Sequence, residues 1–265
     1  MAHQEQAASH YGSPNPLNVR TEIHRLYEEQ KTDFDDLLVR TMGLEGSESV
    51  LDAGCGPGGF LLHLRQTGHR GVLVGVDQSS GMIAAALAES NRRGYEIGWV
   101  TGDVTRLPYP SDSFDWVVAR HMLYHAEDIG VALSEFARLS NRLLVTTNSS
   151  RSLPRIFDLR ATLWERFRLP PEQAVISRFC LENAEQQLQT VYSRVAPTVL
   201  TNALVFHEPE PIIRYIVSTL QALALPRERW IELEHWLATE VERRLSALGG
   251  IWRDPKEIAL YRCDT

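Results

Sequence analysis

Four glycines and a carboxylate lie close together in VLDAGCGPGGF, residues 50–60. Gly54, Gly56 and Gly59 have the spacing Gly-x-Gly-x-x-Gly, which is typical of loops that bind a pyrophosphate at a helix N-terminus. A glycine-rich turn from a strand to a helix can also be purely structural, because glycine adopts positive φ and permits close packing. Four glycines within six positions exceed what a tight turn needs, so the loop is a candidate ligand site.

The segments around the loop predict a parallel sheet. Short apolar runs alternate with stretches of helical periodicity, which is typical of right-handed β-α-β units with helices on both faces. The predicted strands of this part are 49–53, 71–77, 96–103, 114–121 and 142–148. The predicted helices between them are 60–68, 80–94 and about 128–139.

The flanking segments are predicted to be mainly helical. Before the loop, Val19 and Ile23 have helical spacing, and Asp33 and Gly43 are suited to begin and end a second helix. After residue 148 we predict helices at about 155–167, 181–193, 210–223 and 226–248, with strands at 197–206 and 257–263. The predicted fold class is α/β: a Rossmann-like three-layer sandwich with a mostly parallel seven-stranded sheet, an antiparallel last strand and a helical lid. We expect a single domain over 1–265, with N-terminal helices (1–47), a cofactor-binding core (48–148) and a C-terminal half (149–265).

Polar residues follow the predicted strands at the edge where open α/β sheets bind ligands. Asp77 ends the second strand, and its interval from the loop suits an acid that grips ribose hydroxyls. Gly102 and Asp103 end the third strand, where a carboxylate could accept a hydrogen bond from an exocyclic amine such as that of adenine. Taken singly, Asp77 could equally cap a helix and Asp103 could be a turn residue.

The ribose and adenine contacts together indicate an adenosine ligand, and Asp52 helps to decide which group is attached to that adenosine. It lies two residues before the first glycine, and a carboxylate there would repel a pyrophosphate. A ligand with a sulfonium and an amino group fits better than a dinucleotide. The competing interpretation is that Asp52 bonds only the amides of its own loop.

At this point a family resemblance is clear. LDAGCGPGG, then VGVDQS, then GDVTRLPYPSDSFDWVVARHMLYH resemble the class I S-adenosylmethionine-dependent methyltransferases, in particular the small-molecule branch that includes ubiquinone and menaquinone biosynthesis enzymes. The resemblance covers about residues 48–148. Many relatives carry Leu-x-Pro-Gly-Gly before the fifth strand, whereas this chain has ARLSNRLLVTT.

The resemblance implies roles for single residues. Asp52, Gly54, Gly56 and Gly58 match the first motif, an acid followed after one residue by Gly-x-Gly-x-Gly. By resemblance, Gly54 and Gly56 approach the methionine part of the cofactor. The cofactor-binding residues that we predict are Asp52, Gly54, Cys55, Gly56, Gly58, Asp77, Gln78, Met82, Gly102, Asp103, Val104 and Arg120, with Tyr11 and Arg20 if the first helix folds over the site.

Two histidines are candidate bases for methyl transfer. His121 matches a family position that faces the methyl group or the substrate, and His125 follows one turn later. The alternative is that neither residue is a base: His121 packs beside the cofactor, and His125 caps or lies at the start of a helix. No metal site is predicted, since three scattered cysteines give no ligand pattern.

The composition of the chain restricts the classes of partner that it is expected to bind. The net charge of −7 argues against nucleic acid, and no apolar run is long enough to span a bilayer. We expect a cytoplasmic enzyme that methylates a small molecule at O, N or C and yields S-adenosylhomocysteine. Aromatic residues of the lid segments (His24, Trp164, Phe167, Trp230 and Trp236 among them) suit an aromatic or apolar substrate, although at helical spacing they are more often plain core.

Three questions stay open at this level. A homodimer is compatible with the sequence. An NAD(P)-dependent oxidoreductase is the alternative function, and Asp52 and the helical entry before the first strand argue against it. A methyltransferase fold that performs another reaction is a further alternative.

Overall fold

The structure is a computed structural model, and it describes residues 15–170, 175–220, 223 and 225–265. Its strands coincide with the apolar runs of the sequence. In chain order they are β1 (Val50–Ala53), β2 (Leu73–Asp77), β3 (Gly98–Thr101), β4 (Trp116–Arg120), β5 (Arg142–Asn148), β6 (Arg194–Phe206) and β7 (Trp252–Asp264). All four residues of β1 are buried, as expected for a strand covered on both faces.

Helices connect these strands and precede them. In chain order they are α1 (Asn15–Tyr27), α2 (Phe34–Met42), α3 (Gly59–Gln66), α4 (Ser80–Arg93), α5 (Ile129–Leu139), α6 (Pro154–Phe167), α7 (Ala184–Leu188), α8 (Pro209–Leu220) and α9 (Arg227–Ala247). The predicted ends of α2 are confirmed. The Asp33 carboxylate accepts a hydrogen bond from the Asp36 amide, and Gly43 closes the helix at a φ of 70°.

The seven strands form one sheet in the order β3-β2-β1-β4-β5-β7-β6. β1 to β5 pair in parallel, and β7 runs antiparallel to both of its neighbours. The predicted fold class is therefore confirmed. The chain winds outward from β1 in one direction and from β4 in the other, so the switch point lies where these two strands end. The glycine loop follows β1, and Arg120 and His121 follow β4.

Two elements differ most from their predicted bounds. The last strand begins at Trp252 instead of residue 257, because residues 252–257 pair with β6 alone beyond the end of β5. Proline lacks a backbone N–H and cannot donate to strands on both sides. Because these residues pair with β6 alone, Pro255 is tolerated there. The predicted helix 181–193 shrinks to Ala184–Leu188, and the Thr190 hydroxyl hydrogen-bonds the Gln187 carbonyl just beyond its end.

Three apolar clusters hold the elements together. One packs α5 and α7 on one face of the sheet, and another packs α2 and α3 on the opposite face. The third joins α1, α6, α8 and α9 to the ends of β6 and β7, and we call it the helical layer. Leu233, not Ile231, supplies the inner face of α9: Leu233 is fully buried, whereas Ile231 is 59% exposed. Phe167 is buried in this cluster and Trp236 packs against it, which is the core role foreseen as the alternative for these aromatics.

Within the described ranges, no helix combines the length and the apolar character that a membrane crossing requires.

Candidate functional site

The loop after β1 places its glycines in a conformation that other residues rarely adopt. Gly54, Gly56 and Gly58 all have positive φ, at 70°, 55° and 81°. A Cβ on Gly58 would lie 2.3 Å from the Trp99 ring. Gly59, by contrast, has ordinary φ, and a Cβ there would meet open space. The backbone therefore requires the pattern Gly-x-Gly-x-Gly, not Gly-x-Gly-x-x-Gly.

Asp52 is fully buried beneath this loop. Neither of its carboxylate oxygens has a hydrogen-bond partner among the described residues, so it does not bond the amides of its own loop. The nearest cation is Arg120, whose Nη2 lies 3.7 Å from Oδ2. Burial raises the pKa of Asp52 to about 6; Arg120 opposes this shift, and the charges of Asp35 and Asp77 add to it. A buried carboxylate without donors fits a ligand that brings a cationic, hydrogen-bonding group.

Asp77 links the loop to the end of β2. Its Oδ2 accepts a hydrogen bond of 2.9 Å from the Gly56 amide, and its Oδ1 accepts one of 2.8 Å from the Ser79 amide. The helix after β2 is capped by Ser79 through the Met82 amide, so Asp77 is not its cap. Each carboxylate oxygen retains a lone pair, and the half-buried position leaves room for a diol. Burial raises the pKa of Asp77, and the two amide hydrogen bonds oppose that shift.

The end of β3 lies beside the end of β2. The Gly102 amide donates to the Asp77 carbonyl at 3.0 Å, which brings the next residues to the same edge. Asp103 is exposed and accepts a 2.9 Å hydrogen bond from Thr105 through Oδ1, so it also has the turn role named as its alternative. Its neighbour Val104 is buried. Together they present one carboxylate oxygen and one apolar side chain.

Three further predicted cofactor residues surround the loop. Cys55 and Met82 are buried, whereas Gln78 is exposed. Burial raises the pKa of the Cys55 thiol well above its usual range, and the charges of Asp52 and Asp77 add to this. The thiol therefore stays protonated and serves as an apolar packing group.

Arg120 is held by an acid that sequence reasoning missed. Its Nη1 lies 2.9 Å from Oδ1 of Asp35 in α2, and its guanidinium lies 4.8 Å from the centre of the Phe60 ring. Arg120 thus joins α2 to the buried Asp52. In the sequence, Asp35 looks like any acid in the first turn of a helix, and nothing there indicates a partner 85 positions away.

His121 occupies a strained position at the end of β4. Its φ is 50°, and its amide donates to the Thr146 carbonyl at 2.9 Å. The ring stacks on Phe34 at 6.1 Å, and Nδ1 is buried with no hydrogen-bond partner among the described residues. Burial lowers the pKa of His121 to about 3, and the charges of Arg120 and Lys256 contribute. The imidazole is therefore neutral at physiological pH.

His125 lies in the short 3-10 turn that follows, Leu123–His125. It is half-buried, and its ring meets that of Tyr124 edge-on at 4.5 Å.

The first turns of α1 lie over the glycine loop. A Cβ on Gly56 would lie 3.7 Å from Cδ2 of Leu17, in the first turns of α1. Arg20 donates through Nη1 to the Ser218 carbonyl of α8 at 3.1 Å. Tyr11, the other residue predicted to reach the cofactor carboxylate, lies outside the described residues.

One group in the described part of the chain has metal-ligand atoms within 4.8 Å of one another: Asp33, Asp36 and His63. A helix cap and a hydrogen bond explain this cluster. Asp33 caps α2, and Asp36 lies 2.9 Å from Nε2 of His63.

Residues 51–142 match the family model described as methyltransferase domain, which is 92 of the 265 residues. A demethylmenaquinone methyltransferase of Geobacillus stearothermophilus is 24% identical over 163 residues, which are 55% of this chain and 70% of the relative. A malonyl-[acyl-carrier protein] O-methyltransferase of Erwinia billingiae (strain Eb661) is 31% identical over 135 residues. That alignment spans about half of each protein, 50% of this chain and 49% of the relative.

A solved structure, that of the [4+2]-cyclase SpnF, resembles the whole chain. The TM-score is 0.60 at 19% identity, and the alignment covers 98% of this chain and 96% of the cyclase. At this identity the likeness concerns the fold alone.

Proposed function

We propose that this chain, whose residues 51–142 match a methyltransferase domain, transfers a methyl group from S-adenosylmethionine to a small-molecule acceptor. The observation that carries the proposal is the Asp52 carboxylate, which is fully buried beneath the glycine loop without a hydrogen-bond donor. A cofactor with an ammonium and a sulfonium would supply the missing positive charge. A pyrophosphate would instead add negative charge beside Asp52 and Asp77.

The chain offers a group for each part of the cofactor. We propose that Gly54 and Gly56 let the backbone approach the methionine part, and that Asp77 accepts hydrogen bonds from the ribose diol. Asp103 and Val104 would hold the adenine, with one carboxylate oxygen for the amine and an apolar contact for the ring.

When bound, S-adenosylmethionine supplies a methyl group on a sulfonium that is already a good leaving group. The task that remains for the protein is alignment and exclusion of water. Leu17 of α1 covers the loop, and Arg120 holds α2 in place through Asp35. The site would therefore be closed on the side of the N-terminal helices.

The role of His121 follows from its neutral ring. A group with a pKa of about 3 is a weak general base at neutral pH, because the Brønsted relation favours a pKa close to the working pH. We propose that His121 accepts a hydrogen bond from the acceptor through an imidazole nitrogen and orients it. His125 stays a second candidate for the same role.

The acceptor is proposed to be a small molecule with an aromatic or apolar body. The net charge of −7 supports this choice over a nucleic acid. The proposal leaves the methylated atom open among O, N and C.

Release of S-adenosylhomocysteine tests the proposal. Purified protein is incubated with S-adenosylmethionine and a panel of phenols, amines and carboxylic acids, and the released S-adenosylhomocysteine is measured by mass spectrometry. We expect release with at least one acceptor, and loss of that release in Asp77→Ala. Cofactor binding without release from any acceptor would instead support a methyltransferase fold put to another use.

A further inference from the structure

A buried lysine lies near the carboxyl edge of the sheet and has no part in the proposed cofactor site. Lys256 of β7 is 5% exposed. Its Nζ forms an ion pair with Oε1 of Glu28 and lies 3.0 Å from Nδ1 of His24. Glu28 and His24 are one turn apart in and just after α1, so the cluster joins the first helix to the last strand.

The position of Lys256 places the cluster above the carboxyl edge of the sheet. Pairing between β5 and β7 ends at Asn148 and Ile258. Lys256 lies two residues farther along, in the part of β7 that extends beyond β5 and pairs only with β6. This is the edge where the ends of β1 and β4 present the glycine loop and His121.

The same face of α1 looks toward this edge along its whole length. Leu17, His24 and Glu28 are spaced by seven and four residues and therefore lie on one side of the helix. Leu17 lies over Gly56 at one end, and Glu28 meets Lys256 at the other. His24 is held between these two anchors, about 10 Å from Leu17 along the helix axis at 1.5 Å per residue.

His24 lies within electrostatic range of His121. The charges of Lys256, His121 and Arg20 add to burial in lowering the pKa of His24 to about 3. Its ring meets the Tyr215 ring edge-on at 5.8 Å, and 30% of its side chain remains exposed. His24 therefore presents a partly exposed neutral imidazole on the side of α1 that carries Leu17.

The contact with Lys256 determines which nitrogen of His24 carries the proton. An ammonium has three donors and no acceptor. Burial lowers the pKa of Lys256, and the ion pair with the Glu28 carboxylate opposes that shift and favours the ammonium form. The Nδ1 atom must then accept the 3.0 Å hydrogen bond, which places the proton of the neutral ring on Nε2. His24 thus offers one N–H donor, at Nε2. Its Nδ1 atom is occupied by the hydrogen bond from Lys256 and cannot act as a base.

We propose that His24 is a positioning residue for the acceptor: its Nε2–H donates a hydrogen bond to a carbonyl, phenolate or carboxylate oxygen of the acceptor. Lys256 and Glu28 hold the ring in the donor tautomer. The inference rests on the proposed methyl transfer and narrows its substrate class to acceptors that carry such an oxygen. An amine without an oxygen acceptor makes no use of this donor.

Nitrogen-15 NMR on histidine-labelled protein tests the tautomer directly and needs neither cofactor nor acceptor. We expect the His24 signals of a neutral ring protonated at Nε2, unchanged from about pH 5 to pH 8. The signals are assigned with His24→Gln. A ring that titrates near pH 6.5, or that carries its proton on Nδ1, would overturn the proposal.

Two amide variants test the donor. The side-chain NH2 of His24→Gln reaches as far as Nε2, whereas that of His24→Asn reaches only the Nδ1 position. With the panel acceptor that gives the fastest S-adenosylhomocysteine release, we expect His24→Asn to raise the acceptor KM roughly three- to tenfold, the value of one hydrogen bond. We expect His24→Gln to stay within about twofold of the unmodified protein, since it retains the distal donor.

The control is His235→Asn, an exposed histidine of α9. Cofactor affinity, measured by calorimetry, should be the same in all three variants. Equal losses in His24→Asn and His24→Gln, or an unchanged acceptor KM in both, would overturn the donor role. If the unmodified protein binds no S-adenosylmethionine, methyl transfer itself fails, and the NMR result still decides the tautomer on its own.

Discussion

The buried carboxylate of Asp52 costs stability in the ligand-free protein. At neutral pH it is ionised, fully buried and without a hydrogen-bond donor, and Arg120 at 3.7 Å compensates only in part. A cationic ligand would remove this cost on binding. Strain of this kind is typical of sites whose partner is a ligand and not another side chain.

The first prediction concerns the variant Asp52→Asn. Because the folded pKa of Asp52 is about 6 and the unfolded value is near 3.9, the native state holds an extra proton between these two pH values. The unfolding free energy of the ligand-free protein should therefore fall as pH rises from about 4 to 6. Removing the charge should stabilise the protein at pH 7.5 by on the order of 2–3 kcal/mol, since one pKa unit corresponds to about 1.4 kcal/mol.

Urea unfolding at pH 4.5 and pH 7.5 measures this effect. The two proteins should differ little at the lower pH, and the variant should bind S-adenosylmethionine more weakly at the higher pH. A variant that is less stable than the unmodified protein at pH 7.5 would contradict a ligand-directed role for Asp52.

Residue types and spacing were sufficient to predict which acids lie at the neighbouring strand ends. Asp77 lies at the loop and Asp103 at the neighbouring strand end, where the sequence places them. The ion pair of Arg120 with Asp35 and the contact of Lys256 with His24 were not predictable, since they join positions 85 and 232 residues apart. Such pairings depend on how α1 and α2 pack, and no local pattern in the sequence encodes that.

In the loop between β1 and α3, the adjacent glycines Gly58 and Gly59 have different structural roles. Gly58 has a φ of 81°, and a side chain there would meet the Trp99 ring. Gly59 begins α3 with its Cβ direction open to solvent. The third glycine of the Gly-x-Gly-x-x-Gly spacing is Gly59, whose position the backbone does not require to be glycine.

Two matched alanine variants test this distinction. We expect Gly58→Ala to lower the unfolding free energy by at least about 1–2 kcal/mol, the cost of a left-handed residue, with the clash against Trp99 added. Gly59→Ala should be neutral or stabilising by up to about 1 kcal/mol, because alanine favours the helix. Chemical unfolding of both variants measures the difference, and equal destabilisation would show that the loop geometry is wrong.

Element boundaries were predictable where local chemistry sets them. Asp33, Gly43 and Gly94 begin or end helices at the positions that cap rules indicate. The start of β7 was not predictable, because its first residues pair only with the distant strand β6 and contain Pro255, which argues locally against a strand.

At the scale of the whole molecule, the parallel sheet and the helical layer meet above the carboxyl edge. Leu17 lies over the glycine loop while Ile23, on the adjacent side of α1, is fully buried in the helical layer. The helix thus contacts both the candidate cofactor loop and the cluster that contains α8 and α9. Cofactor binding at the loop should therefore stabilise α1.

Hydrogen exchange tests this coupling. We expect S-adenosylhomocysteine at about 100 times its Kd to slow the exchange of the amides of α1, by at most about 100-fold where exchange requires opening of the site. The amides of α9, on the far side of the helical layer, should change much less. Slower exchange in the glycine loop with no change in α1 would contradict a closing role for the helix.

The most direct measurement is calorimetric titration of the protein with S-adenosylmethionine and, separately, with NAD. We expect S-adenosylmethionine to bind one molecule per chain and NAD to give no binding heat. Asp77→Ala should weaken S-adenosylmethionine binding about tenfold or more, since it removes a charge-assisted hydrogen-bond acceptor. Asp158→Ala, which alters a carboxylate that is 71% exposed, should bind like the unmodified protein. Binding of NAD without binding of S-adenosylmethionine would contradict the proposed site.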